Sequence, residues 1–149
     1  MVKIRPAELA DLDDLARLFN GYLQFYRRPS DLAAASKFIG DRVMKRDSVI
    51  FVAIIDDVAV GFVQLYPSFS SVLMRRVYIL NDLYVDESAR HSGVATALIG
   101  AAENFGREQN AVRLVLETEF SNNAAQKLYE KLGWDKDDLR YYYEKYLDE

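Results

Sequence analysis

Three long apolar runs placed one after another constrain this chain more than any other feature. Residues 49–55 form a continuous apolar, β-branched run, Asp56-Asp57 is a tight-turn signal, and residues 58–66 run back in the same character. A polar loop at 67–71 leads to a third run, residues 76–85, rich in Val, Tyr, Ile and Leu. Such runs with such a turn read as an antiparallel hairpin extended into a meander. The flanks fit around that block. Residues 2–5 read as a short strand closed by Pro6. In residues 11–26, Leu12, Leu15, Phe19, Tyr22, Leu23 and Tyr26 fall on one helical face. Arg27-Arg28-Pro29 stops that helix, and Ser30 is placed to cap a second one carrying Leu32, Ala35, Phe38, Ile39 and Val43. After the meander come an Ala-rich helix over 94–108, a strand over 112–118, a helix over 122–132 stopped by Gly133, and a tyrosine-rich strand over 140–147. The order is β-α-α-β-β-β-α-β-α-β. A meander followed by a strand–helix–strand crossover predicts an α/β fold of α+β type: a mixed, mostly antiparallel sheet of six to seven strands with helices on both faces.

The chain has 149 residues, about the size of one domain, and no repeat or linker interrupts it, so a single domain over 1–149 is expected. Zero cysteines exclude disulfides, thiolate metal sites and a cysteine nucleophile, and the single histidine, His91, excludes a multi-histidine metal centre. Nineteen basic against 23 acidic residues, net −4, argue against a general nucleic-acid binder and agree with a cationic substrate. No apolar run approaches a membrane span, and no apolar segment follows Lys3 and Arg5, so no membrane partner, no secretory signal and a cytoplasmic location are expected.

The most informative stretch runs from Leu83 to Ala95, where a buried strand ends, a polar loop turns, and a helix begins with Gly93 at its mouth. The first N–H groups of a helix have no partner within it, and the dipole there is positive. Such an end holds phosphate when the backbone can come close. Gly93 permits that approach, Ala95 leaves room, and Arg90 adds charge. Neither Gly-x-x-x-x-Gly-Lys-Ser/Thr nor Gly-x-Gly-x-x-Gly after a strand is present. From the loop alone, a glycine that merely turns the chain explains the pattern equally well.

A second stretch shifts that balance. Arg90-x-x-Gly93-x-Ala95 resembles the acyl-CoA signature of the GNAT superfamily of N-acetyltransferases. Asn122-x-x-Ala125-x-x-Leu128-Tyr129-x-x-x-Gly133-Trp134 resembles its C-terminal signature, with Trp where Phe is commoner. The region from Asn81 to Leu147 looks like the small histone and polyamine acetyltransferases of that superfamily, and Ile4-Arg5-Pro6 followed by two helices also fits.

The resemblance implies that acetyl-CoA is the co-substrate and that no metal is needed. It also implies that strand 79–85 splays from strand 112–118, so that the pantetheine arm pairs with main-chain groups near Leu83 and Val85. The pyrophosphate would rest on amides of Arg90, His91, Ser92, Gly93, Val94, Ala95 and Thr96, with Asn122 on the cofactor side. Tyr129 would be the general acid for the leaving thiolate, and the Val85 amide would stabilise the oxyanion. The base is the open point. Some relatives carry glutamate where this chain has Asn81; adjacent Asp82 faces the other way unless a bulge intervenes, and Glu117 and Glu119 are further candidates. A water chain passing the proton to solvent is an equal alternative. Asp82 or Glu117 could equally recognise the amine.

Each residue also has a structural reading. Tyr129 fits a helix core, Asn122 a helix cap, and His91 a solvated or phosphate-adjacent position. Tyr22, Phe25 and Tyr26 fit either the acceptor side or helix core. Tyr141, Tyr142, Tyr143 and Tyr146 fit strand packing or a subunit contact. Two functions follow: an acetyl-CoA-dependent N-acetyltransferase acting on a small cationic amine such as a polyamine, or on a protein lysine; or a non-catalytic acyl-CoA-binding module on the same fold. The resemblance also implies a homodimer through the C-terminal strand.

Overall fold

The computed structural model describes residues 1–148, which fall into two compact units, residues 1–117 and residues 118–148. The first holds a sheet in the order β1-β2-β3-β4-β5, comprising β1 (Lys3–Pro6), β2 (Val49–Ile55), β3 (Val58–Ser70), β4 (Arg75–Val85) and β5 (Arg113–Val115). The first four strands pair antiparallel, and β5 joins β4 in parallel. Asp56 and Asp57 both sit at positive φ, 49° and 63°, which suits a two-residue turn matching the twist of the β2–β3 hairpin. Helices α1 (Leu12–Phe25) and α2 (Leu32–Lys45) cover one face of the sheet, and α3 (Val94–Glu108) covers the other.

Pairing alternation assigns the two faces. Ile50, Val52, Ala59 and Phe62 point to α1 and α2, where they pack with Leu15, Leu18, Phe19 and Ile39. Phe51 and Tyr78 face α3 and meet Phe105 edge-on at 5.9 Å and 5.2 Å between ring centroids. Each fully buried Leu, Ile or Phe contributes about 1.5–3 kcal/mol, and Leu15, Leu18, Ile39, Phe62, Leu65, Leu98 and Ile99 are all fully buried. The entry to α1 is fixed by a bidentate pair: Arg5 donates to both Asp11 oxygens at 2.8 Å and 2.9 Å, and the Glu8 amide donates to Asp11 at 2.7 Å. Those donors hold the Asp11 carboxyl below its ordinary range despite its burial.

Several expectations are corrected. Among the described residues the sheet has five strands rather than six to seven. Residues 140–147 form no strand; Tyr141, Tyr142, Tyr143 and Tyr146 are 67–88% exposed, and three consecutive tyrosines do not alternate between a buried and a wet face. The 67–71 loop belongs largely to β3, which pairs with β4 out to Ser70 and Arg75. The cap of α2 is Asp31, whose carboxylate accepts from the Ala34 amide at 3.0 Å; Ser30 instead accepts from Asn20 Nδ2 at 3.0 Å. In the second unit, α4 (Asn123–Lys131) is capped by Asn122 and terminated by Gly133 at φ 89°.

Among the described residues no helix is long and apolar enough to cross a membrane.

Candidate active site

β4 carries the site because it changes partners along its length. On one side it pairs with β5 only at Val77, Tyr78 and Ile79, so from Leu80 to Val85 that edge has no β5 partner. On the other side, β3 pairs Leu65 with Leu80 but Gln64 with Asp82, leaving Asn81 as an extra residue opposite neither. That is a β-bulge. Without it, Leu80 and Asp82 would share a face; with it, Asp82 turns to the α1–α2 side beside Tyr84 and Tyr22 while Leu80 stays on the α3 side.

Asp82 is 3% exposed, and its carboxylate is met by donors rather than by a cation. Gln64 Nε2 donates a short hydrogen bond to Oδ2, and Asn81 Nδ2 donates to Oδ1 at 2.9 Å. The Tyr22 hydroxyl interacts with the same carboxyl and donates to the Asn81 carbonyl at 3.2 Å. Burial raises the Asp82 pKa, and these donors hold the rise in check. Desolvation also pushes the Tyr66 hydroxyl to about 12 and the Tyr22 hydroxyl higher still, so both stay protonated.

The far end of β4 leads into the helix mouth. The Asp86 amide donates to the Val60 carbonyl at 2.8 Å, so strand alternation turns the main-chain groups of Tyr84 toward β3 and those of Leu83 and Val85 toward the unpaired edge. Arg17 clamps this end, donating to Asp86 at 2.9 Å and to the Ala59 carbonyl at 2.8 Å. A short 3-10 turn, Glu87–Ala89, follows, and Ser92 Oγ donates to the Ala89 carbonyl. Gly93 sits at φ 83° with nothing within 4 Å of a Cβ placed there. The first backbone bond of α3 runs from Ala97 to the Gly93 carbonyl, no side chain caps the helix, and its first turn holds no acidic residue. The amides of Val94, Ala95 and Thr96 therefore face an open, uncapped mouth, which suits a diphosphate.

Each expected residue now has a place. Leu83, Val85 and the loop from Arg90 to Thr96 lie along one strand end and the helix it feeds. The Arg90 guanidinium does not reach for the mouth. It donates to the Val85 carbonyl at 2.9 Å and lies 5.7 Å and 5.9 Å from the Tyr84 and Phe25 ring centroids. His91 is exposed at φ 63° and Glu117 is exposed beyond β5. Tyr22 packs on Phe62 as a core residue would, and its hydroxyl interacts with the Asp82 carboxyl. In the second unit, Asn122 Oδ1 accepts from the Ala125 amide at 3.2 Å, and half-buried Tyr129 lies 5.6 Å from Trp134. Gln64, Tyr66 and Ser48 were missed; the available signal was a lone glutamine inside the apolar run 58–66.

The chain matches the model of the acetyltransferase (GNAT) family over residues 12–134. It is 43% identical to the uncharacterised N-acetyltransferase YhfO of Bacillus subtilis (strain 168) over 136 residues, 91% of each chain. A crystal structure of a probable acetyltransferase superposes with a TM-score of 0.92 at 42% identity, covering 99% of both chains. An aminoglycoside N-acetyltransferase solved in complex with CoA shares the fold, with a TM-score of 0.81 at 22% identity over 97% of this chain and 95% of that one. A bulged β4, an uncapped α3 and these likenesses agree: the chain belongs to the GNAT family of acetyl-CoA-dependent N-acetyltransferases.

Proposed function

We propose that the protein transfers acetyl directly from acetyl-CoA to a primary amine, on a small cationic molecule such as a polyamine or aminoglycoside or on a protein lysine, with both substrates held together. The observation that carries this reading is the buried, donor-ringed Asp82 carboxylate on the strand that runs on to the α3 mouth. Bound acetyl-CoA supplies the acetyl group as an activated thioester. Amides from His91 to Thr96 hold its diphosphate, and the outward main-chain groups of Leu83 and Val85 hold its arm. Juxtaposing two reactants in this way supplies roughly 7–11 kcal/mol of the barrier reduction.

The acceptor arrives as an ammonium, attracted by Asp82 and by the exposed Glu117 carboxylate. Asp82 takes its proton, and its burial-raised pKa suits that task. The Val85 N–H, turned to the unpaired edge, stabilises the developing oxyanion. Tyr129 keeps the role its motif implies, giving a proton to the departing thiolate. The single-domain reading rests on the family match, which runs from residue 12 to residue 134.

The test is thiol release from acetyl-CoA with a panel of polyamines, aminoglycosides and lysine peptides. Release is expected with at least one amine and is lost in Asp82→Asn while CoA binding persists. CoA binding without release from any amine overturns the reading.

A further inference from the structure

Gln64 is fully buried in the middle of β3, a position where a leucine or methionine would fill the same space without leaving polar atoms to satisfy. Its amide is completely engaged. Ser48, the residue before β2, donates through Oγ to Gln64 Oε1 at 2.7 Å. The two hydrogens of Nε2 go to Asp82 Oδ2 and to the Tyr66 hydroxyl, the latter at 3.3 Å. An ionised carboxylate only accepts, so the Ser48 hydroxyl bond and the Asp82 bond favour the same orientation of the amide. Asn81, the bulge residue, serves the other carboxylate oxygen. Each oxygen of Asp82 thus has one amide donor, one from the neighbouring strand β3 and one from β4 itself.

We propose that Gln64, oriented by Ser48, is a positioning residue that holds the Asp82 carboxylate ionised and aimed for proton transfer. This rests on the reading of Asp82 as the proton acceptor. The groups facing Asp82 are Tyr22 from α1, Gln64 and Tyr66 from β3 and Asn81 from its own strand. From α2, Arg42, paired with Asp47 at 3.0 Å, acts on Tyr66. Gln64 and Asn81 amides and the Tyr22 hydroxyl therefore do what a cation does elsewhere: they offset the desolvation of the carboxylate.

The experiment titrates the Asp82 carboxyl in the full chain by carbon-13 NMR, using Asp82→Asn to identify its resonance, and records kcat/KM against pH for the same proteins. Gln64→Leu and Gln64→Met are expected to raise the Asp82 midpoint by about one to two pH units, from the strength of a hydrogen bond to a charged group. Ser48→Ala moves it the same way by less. The acid limb of kcat/KM follows the midpoint, while CoA affinity is retained, a pattern that a purely structural role for Gln64 does not produce. An Asp82 midpoint unmoved in both folded Gln64 variants overturns the proposal. A midpoint that moves while the acid limb stays fixed supports Gln64 as the residue holding Asp82 and removes Asp82 from the proton-accepting role.

Discussion

Gly61→Ala is the perturbation that most directly tests how β4 is held. Gly61 pairs with Val85, and a Cβ added to it lies 2.8 Å from the Tyr84 carbonyl oxygen and 3.4 Å from both the Val85 Cα and Leu98 Cδ1. Ordinary contact begins at about 3.5 Å, so the shortfall against the carbonyl is roughly 0.5–1 Å. The obstructing atom is main chain, and fully buried Leu98 of α3 blocks retreat on its side. The strand must therefore shift at Tyr84 and Val85. Overpacking of this kind costs about 1–3 kcal/mol. For a chain of this size that lowers Tm by about 2–4 °C per kcal/mol. Gly100→Ala is the matched control: it lies inside α3 with nothing within 4 Å of the new Cβ. It is expected to gain about 0.8–1.0 kcal/mol from helix propensity alone. Urea unfolding followed by circular dichroism reads both, and thiol release reads the displacement of the Val85 amide as lost turnover in Gly61→Ala alone. A Gly61→Ala protein as stable and as active as the parent refutes the packing account.

Three further outcomes are expected. Thr96→Glu places a carboxylate in the first turn of α3, which now has none; stability rises by about 0.3–1 kcal/mol while CoA affinity, measured by calorimetry, falls by roughly tenfold or more. Unchanged CoA affinity would remove the α3 mouth as the diphosphate site. Tyr129→Phe lowers turnover by about 10²–10⁴-fold with CoA binding spared, and unchanged turnover takes Tyr129 out of the acid role. Asp82→Asn separates stability from activity. The folded pKa of Asp82 lies above its unfolded value, so its contribution to stability is fully present below the unfolded pKa and is lost as pH rises through the folded one. The stability of the Asn variant relative to the parent therefore rises with pH from about pH 4 upward and is flat below that. A stability difference that stays constant with pH contradicts this.

Much of the fold was legible because it rests on local pattern. The β2–β3 turn is written in Asp56-Asp57, and the face of α1 in the spacing of Leu15, Phe19 and Tyr22. The α3 mouth is written in Gly93, because the residue there must sit at positive φ where a helix begins without a capping side chain. The C-terminal tyrosines misled because β-propensity alone does not create a partner strand. Ser30 reads from sequence as the cap of α2, but Asp31, one residue on, takes the Ala34 amide.

The sequence by itself determined the order of elements through β4 and α3, a chemistry that uses no cysteine of the chain and no histidine cluster, and the motif residues around Gly93 and Tyr129. Only the tertiary structure decided which way Asp82 faces. That depends on one unpaired residue, Asn81, and a bulge is a property of two strands in register rather than of either strand's sequence. The same holds for Ser48 and Gln64, whose chain of hydrogen bonds, from Ser48 to Gln64 and from Gln64 to the buried Asp82 carboxylate, forms only once three segments meet.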